Sequence, residues 1–333
     1  MKLFLNVNDI NPNEWESLVK SSKVATWFQT KEAFAFFDSL SYMEAFIVAV
    51  ETEASLKGLV VACILKDGGK LKRFFSRRAI VLGGPLLAED ITDEELKMML
   101  GALKENMRPK AIYIETRNFN DYSCWRKTFE DCGFEYEPHY DIHIDSSSMD
   151  VVHEKMGKSR KRDVRISIRD GASLIGHPTI EQVKSFYVVL SDLYKTKVKT
   201  PLAPWAFFEA LYKLPASQFI LVEYRGEIVG GTVTVGLSDK ALYEMYVCGK
   251  DAVYKNIFPS ELATYAGLQY AAENGFRIFD MMGAGKPDDG GYGVRDFKLK
   301  FGGDLFEFGR FVHLCSPFLY RIGKMGVKLM KAL

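Results

Sequence analysis

Cysteine is scarce in this sequence and shows no paired spacing. The five residues include no C-x-x-C motif, and their number is odd: Cys63, Cys124, Cys132, Cys248 and Cys315. This usage argues against a disulfide framework and a structural zinc site, so we expect reduced thiols and no metal centre. Long apolar runs are also missing, since no stretch approaches the ~20 residues of a membrane span or forms a signal-peptide core. These absences predict a cytoplasmic protein.

An excess of charge of one sign is missing as well. The formal net charge is +1, which argues against a general nucleic-acid binder and against DNA as a partner. The five histidines are scattered, and no Walker loop, H-E-x-x-H motif or convincing Ser-His-Asp order is present. A covalent nucleophile is therefore not the expected chemistry.

The length and order of elements predict two domains. A chain of 333 residues with 47% apolar content exceeds one average core. The stretch from Glu53 to Cys63 and the stretch from Glu223 to Val233 each read as strand, turn and strand. The serine-rich segment Asp145–Ser148 is the expected break. We predict an α/β fold with mixed sheets flanked by helices, in domains 1–148 and 149–333.

The stretch from Leu242 to Gly303 carries the chemistry. It reads as a strand, a helix started by Pro259 with Ser260 as its cap, a second strand and a glycine-rich loop. Ligands usually bind where the carboxyl ends of such strands open. The side chains and glycines expected there are Tyr246, Asp280, Gly283, Gly285 and Lys298.

Such a cleft suits direct transfer, in which an amine attacks an acyl group while a cation stabilises the oxyanion. Each residue also has a simpler interpretation. Lys298 can be a surface lysine whose stem covers Phe297 and Phe301. Tyr246 can serve packing alone, and Asp280 can cap its glycine turn.

Two charged segments have open interpretations. In the segment from Lys155 to Arg169, a helix would align Lys158, Arg162, Arg165 and Arg169 on one face, as a phosphate site or a solvated surface. The C-terminal segment has an apolar stripe from Phe318 to Leu333 opposed by basic residues. It can rest on an anionic membrane surface or pack against its own domain, as most amphipathic helices do.

Several motifs in fixed order resemble the Fem family of non-ribosomal peptidyltransferases, within the wider GNAT acetyltransferase-fold superfamily. They are Y-R-G-E-I-V-G-G from Tyr224, Y-E-M-Y-V-C-G from Tyr243, G-F-R-I-F-D-M-M-G from Gly275 and F-K-L-K-F-G-G from Phe297. The resemblance covers nearly the whole chain, and the length matches members that lack a coiled-coil arm.

The resemblance implies two tandem GNAT-like domains and transfer of an amino acid from aminoacyl-tRNA to a peptidoglycan precursor's stem peptide, with no cofactor. It implies that Lys298 is catalytic and that Tyr246 contacts substrate. We also expect Phe297, which directly precedes Lys298, to contact substrate. We further expect Asp280 to orient the acceptor amine, and Arg162, Arg165 and Arg169 to bind phosphate.

Two alternatives remain open. The first is an acyl-CoA-dependent N-acyltransferase of the same fold, although the segment from Lys255 to Pro259 lacks the glycine-rich loop expected for a pyrophosphate. The second is a non-catalytic module that binds RNA or anionic lipid.

Overall fold

The computed structural model describes residues 1–65, 77–198, 200–289 and 293–332, with side chains to residue 325 in the last helix. Its contacts divide the chain into two units, Met1–His139 with Phe308–Leu333, and Tyr140–Glu307. Each unit is a mixed sheet flanked by helices, as predicted. Among the described residues, no helix is long and apolar enough to cross a membrane.

The helices are α1 (Pro12–Ser21), α2 (Lys31–Ser39), α3 (Asp93–Met107), α4 (Arg126–Asp131), α5 (Met149–Lys155), α6 (Lys158–Arg169), α7 (Ile180–Leu193), α8 (Trp205–Tyr212), α9 (Pro259–Glu273), α10 (Gly293–Leu299) and α11 (Pro317–Ala332). The strands are β1 (Lys2–Phe4), β2 (Met43–Thr52), β3 (Ser55–Leu65), β4 (Arg78–Gly83), β5 (Leu86–Leu87), β6 (Tyr113–Asn118), β7 (Glu135–Glu137), β8 (Tyr140–Asp145), β9 (Ser173–Ile175), β10 (Ser217–Tyr224), β11 (Glu227–Leu237), β12 (Ala241–Gly249), β13 (Ile278–Asp280), β14 (Asp304–Glu307) and β15 (Arg310–Leu314). A predicted strand at residues 71–75 lies outside the described part.

The first unit is built on the sheet β1-β2-β3-β4-β6-β15-β7, with β5 paired to β3. The apolar face of α3, which includes Leu100, packs on alternate residues of β2 and β3, among them Val48 and Val60. The intervening residues Ile47 and Val61 are also buried, so both faces of the sheet are covered.

The second unit is built on the sheet β14-β8-β13-β12-β11-β10-β9, in which β12 and β13 are parallel and the other neighbours are antiparallel. Adjacent residues of β11 identify the helices on its two faces. A Cβ at Gly231 would meet Phe186 of α7, whereas Thr232 faces Gly267 of α9. The sheet therefore lies between α9 on one side and α7 on the other.

The border between the units differs from the predicted one at residue 148. Strand β8 pairs with β13, with His143 opposite Asp280, and with β14. Strand β15 instead pairs with β6 and β7 of the first unit. Residues 140–148 therefore belong to the second unit, and α11, which we had placed in the second domain, belongs to the first.

The predicted hairpin at residues 223–233 is confirmed, whereas residues 53–63, predicted as strand, turn and strand, form a turn followed by the single strand β3. The turn between β2 and β3 uses Glu53 and Ala54 at φ of 52° and 58°, and the turn between β10 and β11 uses Arg225 and Gly226 at 53° and 78°. Two consecutive residues with positive φ match the right-handed twist of the flanking strands.

The start of α9 differs from the prediction in one respect. Pro259 occupies the first turn, but Ser260 does not cap the helix. Instead the carboxylate of Asp251 accepts from the backbone N–H of Ser260 at 3.1 Å and from its hydroxyl at 2.6 Å. An acidic side chain therefore occupies the positive end of this helix.

Candidate active site

Lys298 is buried at the carboxyl end of β13. It lies on α10 with 8% of its surface exposed, so it is not the surface lysine of the simpler interpretation. Its Nζ donates to the carbonyl oxygens of Met281 at 2.5 Å, Met282 at 3.1 Å and Gly283 at 3.0 Å. Three acceptors use all three N–H groups of an ammonium, which a neutral amine could not satisfy. The turn after β13 therefore holds a positive charge.

The turn leaves space beside that charge. A Cβ added at Gly283 would meet no heavy atom within 4 Å. Gly285 has a φ of 88°, and its carbonyl accepts from the backbone N–H of Tyr140 at 2.8 Å, which fixes the loop to β8. The two glycines thus differ in role, since Gly283 borders open space and Gly285 provides a backbone conformation that other residues rarely adopt.

Two carboxylates and an imidazole form a cluster on one face of β8 and β13. Asp141 and His143 are alternate residues of β8, and Asp280 lies opposite His143. The Nε2 of His143 is 3.3 Å from Oδ2 of Asp280, and one side-chain atom from each residue lies within 4.8 Å of the others. Asp280 also accepts from the backbone N–H of Met282 at 2.6 Å, so it does cap the turn that holds Lys298.

The charges of this region are coupled. Burial lowers the pKa of Lys298, and the negative charges of Asp141, Glu244 and Asp280 oppose that effect. Burial, and to a smaller extent the negative charge of Asp280, holds the pKa of Asp141 well above its ordinary value. Burial also raises the pKa of Glu244 to about 7.

The three ligand atoms of Asp141, His143 and Asp280 have a spacing that a cation could use. Lys298 already supplies a positive charge to both carboxylates, which disfavours a second cation beside it. We therefore treat the cluster as a charge network around the lysine.

Tyr246 lies in an aromatic cluster on the α8 side of the sheet. Its ring centroid is 4.9 Å from that of Phe208, 6.2 Å from that of Phe207 and 6.3 Å from that of Tyr194. A bulge in β12 between Glu244 and Tyr246 separates this side chain from the carboxylate two positions before it. Since bulges re-aim side chains beside sites, the arrangement fits either packing or a substrate contact.

Phe297 lies under a buried arginine. The guanidinium of Arg160 is 4.6 Å from the centroid of Phe297 and 5.3 Å from that of Phe301. It also bonds to the carboxylate of Glu261 at 2.7 Å. Arg160 therefore ties α6 to α9 and to α10, the helix that carries Lys298.

The basic helix α6 presents its other face to solvent. Arg162, Arg165 and Arg169 line a pocket of about 720 Å³ together with Lys158 and Lys161. Arg162 bonds to Asp163 at 2.9 Å and Arg169 to Asp170 at 2.7 Å, whereas Arg165 has no carboxylate partner in the described part of the chain. The pocket is also lined by His153 and Tyr265, whose rings are stacked with centroids 6.0 Å apart.

Sequence reasoning singled out Lys298 and Asp280 but missed Asp141, His143, Glu244 and Arg160. The alternation Asp-x-His-x-Asp in β8 was a usable signal, because it places three ionisable residues on one face of a strand. A carboxylate at Glu244, in a strand that is otherwise largely apolar, was another.

Comparison with family models gives one match. Residues 158–298 match the family model "Acetyltransferase (GNAT) domain". Comparison with curated proteins gives no match.

Solved structures match at the level of fold. The structure described as FemX has a TM-score of 0.74 at 15% identity, over 97% of this chain and 99% of that chain. The C-terminal domain of a putative lysylphosphatidylglycerol synthetase from Agrobacterium fabrum has a TM-score of 0.60 at 11% identity, over 96% of each chain. A tandem GNAT protein from the clavulanic acid biosynthesis pathway also reaches 0.60, at 10% identity over 95% of this chain and 99% of that chain. This chain therefore shares its fold with these solved structures, a tandem GNAT protein among them, and its residues 158–298 are similar to a GNAT acetyltransferase domain.

Proposed function

We propose that this protein is an acyltransferase that moves an aminoacyl group from aminoacyl-tRNA to an amine of a peptidoglycan precursor. The observation that carries the proposal is Lys298, a buried ammonium held beside open space at the carboxyl end of β13. Support for aminoacyl transfer in particular comes from the motif order shared with the Fem family and from the fold shared with FemX.

Lys298 would stabilise the oxyanion of the tetrahedral intermediate. An incoming ester carbonyl can replace one backbone acceptor of the ammonium, at the Gly283 side where space is open. The bond to the oxygen strengthens as negative charge develops, because the ammonium then attracts a charged oxygen and not only a carbonyl dipole. The lysine thus favours the transition state over the bound ester.

The reaction balances with a single proton transfer. The amine nitrogen forms a bond to the acyl carbon, the ester bond to the 3′ ribose oxygen breaks, and one proton moves from nitrogen to that oxygen. Asp280 is the carboxylate beside the lysine that can orient the amine. Tyr246 and Phe297 remain candidates for substrate contact.

The pocket along α6 is our candidate for the phosphates of the donor. The basic residues from Lys158 to Arg169 extend over about 16 Å at 1.5 Å per residue, a length suited to several phosphates. The stacked pair His153 and Tyr265 offers a ring surface for a base.

Acyl-CoA is the alternative donor. A pyrophosphate would be expected at the N terminus of a helix, where backbone N–H groups are free. At α9 the carboxylate of Asp251 already accepts from Ser260, and Glu261 adds a second negative charge in the first turn. Both features disfavour a pyrophosphate there.

The test is transfer from a mixed pool of labelled aminoacyl-tRNAs to a UDP-linked muramyl pentapeptide, run beside labelled acetyl-CoA with the same acceptor. We expect labelled amide product with aminoacyl-tRNA only. Product with acetyl-CoA alone would contradict aminoacyl transfer but would still agree with an acyltransferase.

The α6 pocket has its own control in the same assay. Arg165→Ala should weaken donor binding. Its plot of log affinity against log salt should be less steep than that of the wild type, by about one unit. Lys184→Ala on α7, an exposed cation paired with Glu181, should leave that slope unchanged. Equal slopes for both variants would remove the pocket from the proposal.

A further inference from the structure

The last helix, α11, is attached to the first unit through one side. The ring of Tyr320 packs edge-on against Tyr113, with centroids 5.2 Å apart. The backbone N–H of Ser316 donates to the carbonyl of Ile112 at 2.9 Å, which fixes the start of the helix to the sheet. The orientation of α11 is therefore set by contacts within this unit.

The opposite side of α11 exposes large apolar side chains. Phe318 is 72% exposed and Met325 is 60% exposed. They are seven residues apart, which is close to two helical turns, whereas Tyr320 lies on the far side of the helix. No large apolar side chain in the described part of the chain is more exposed than Phe318. Phe318 and Met325 thus face away from the unit, unlike the packing arrangement that is usual for such helices.

The charges beside this stripe are all positive. Residues 317–332 contain no Asp or Glu and include Arg321, Lys324, Lys328 and Lys331. Arg321 and Lys324 are exposed, and neither makes an ion pair with a described residue. Arg321 is three residues after Phe318 and four before Met325, so this cation borders the exposed apolar side chains. The Nζ of Lys324 lies 4.7 Å from the centroid of Tyr320, on the side of the helix that contacts the unit.

We propose that α11 is a membrane-surface helix, which lies in the headgroup region of an anionic bilayer with Phe318 and Met325 directed into the lipid. An apolar stripe bordered by cations and free of acidic residues is the pattern of helices that bind anionic membranes. If α11 spanned the bilayer, the basic residues distributed along it would enter the hydrocarbon layer, so the helix lies along the surface. The inference does not depend on the proposed reaction.

A second copy of the chain fits this face less well. A two-fold interface places the same patch of both copies together, which would bring two sets of cations into contact without a carboxylate between them. RNA would neutralise the cations but leave Phe318 and Met325 in water. An anionic bilayer would neutralise the cations and also bury Phe318 and Met325.

The test is flotation of the full chain with vesicles of phosphatidylcholine alone or of equal parts phosphatidylcholine and phosphatidylglycerol. We expect binding to the anionic vesicles that weakens with salt, and little binding to the neutral ones. Phe318→Ser should reduce partitioning about tenfold or more, and Arg321→Ala about fivefold. The apolar control Val253→Ser, at a residue 63% exposed elsewhere in the chain, should bind like the wild type.

Three results would overturn the inference. They are failure to bind anionic vesicles, equal binding to neutral ones, and binding that Phe318→Ser leaves unchanged. Concentration-dependent dimerisation in sedimentation velocity that disappears in Phe318→Ser would assign the face to a second copy instead. Because Phe318 is exposed, the variant should fold, and an unchanged thermal transition verifies this.

Discussion

At the scale of single residues, Lys298 occupies a position that stability alone does not explain. Removing an ammonium from water carries a penalty of several kcal/mol, which must be offset by partners. Here three backbone carbonyls and the carboxylates of Asp141, Glu244 and Asp280 serve as those partners. Buried, coupled ionisable groups at the end of a strand are typical of functional sites.

Glu244 gives the unfolding free energy a pH dependence that can be measured. Its pKa is about 7 in the folded protein against 4.5 for an exposed glutamate, so the folded state binds more protons between these values. The stabilisation is therefore present below pH 4.5 and is lost as the pH rises through 7. The difference corresponds to ~3 kcal/mol.

We expect Glu244→Gln to lack this component, so that its unfolding free energy changes less than that of the wild type between pH 4.5 and 8. Urea denaturation at both pH values measures the difference. The exposed Glu105→Gln should behave like the wild type. A Glu244→Gln variant with the full wild-type pH dependence would contradict the assignment.

The sequence could indicate some of these residues but not their arrangement. Lys298 and Asp280 flank a glycine-rich loop, which is a local signal. Asp141 and His143 lie near these two residues only because β8 pairs with β13, which is distant in the chain. The residues of a strand do not by themselves determine which strand it pairs with. The arrangement of these four side chains therefore becomes visible only in the structure.

At the scale of elements, the close approach of β11 and β12 to the start of α9 depends on glycine. A Cβ at Gly249 would lie 2.5 Å from the backbone nitrogen of Ser260 and 2.8 Å from Cβ of Pro259. A Cβ at Gly230 would lie 2.9 Å from the same proline atom. Neither neighbour is the flexible end of a side chain, so the helix would have to move.

We therefore expect Gly249→Ala to destabilise the protein by about 1–3 kcal/mol, the usual effect of overpacking. Gly176→Ala is the matched control, because a Cβ there meets nothing within 4 Å, and it should change stability by less than about 0.5 kcal/mol. Chemical denaturation of both variants measures the effect. Equal stability of the two would show that α9 can shift freely.

Elements with strong local signals were predicted well, and those set by distant contacts were not. The hairpin turn at Arg225 and Gly226 is encoded within a few residues. The cap of α9 instead comes from Asp251, nine residues before Ser260, and no short sequence pattern predicts this contact.

At the scale of the whole molecule, the chain leaves the first unit after His139 and returns to it at Phe308. Strand β15 lies between β6 and β7, and its Phe311 stacks on Phe129 with centroids 4.1 Å apart. The first unit therefore cannot be completed by the N-terminal residues alone.

A chain that ends at Glu307 should lose the native structure of the first unit, because β6 and β7 would lack their shared neighbour. A chain that ends at Leu314 keeps β15 and should retain it. Hydrogen exchange of the β6 amides distinguishes the two, with protection expected only in the longer chain. Protection in both would mean that β15 is dispensable.

The most direct test of the central claim is single-turnover transfer from aminoacyl-tRNA to the muramyl pentapeptide, comparing the wild type with Lys298→Ala and Lys300→Ala. Lys300 is an exposed lysine two residues away and is the matched control. We predict a loss of more than about a hundredfold for Lys298→Ala, as for a lost oxyanion donor, and near wild-type rates for Lys300→Ala. A Lys298→Ala variant that remains folded by thermal unfolding and transfers at a rate close to that of the wild type would contradict the claim.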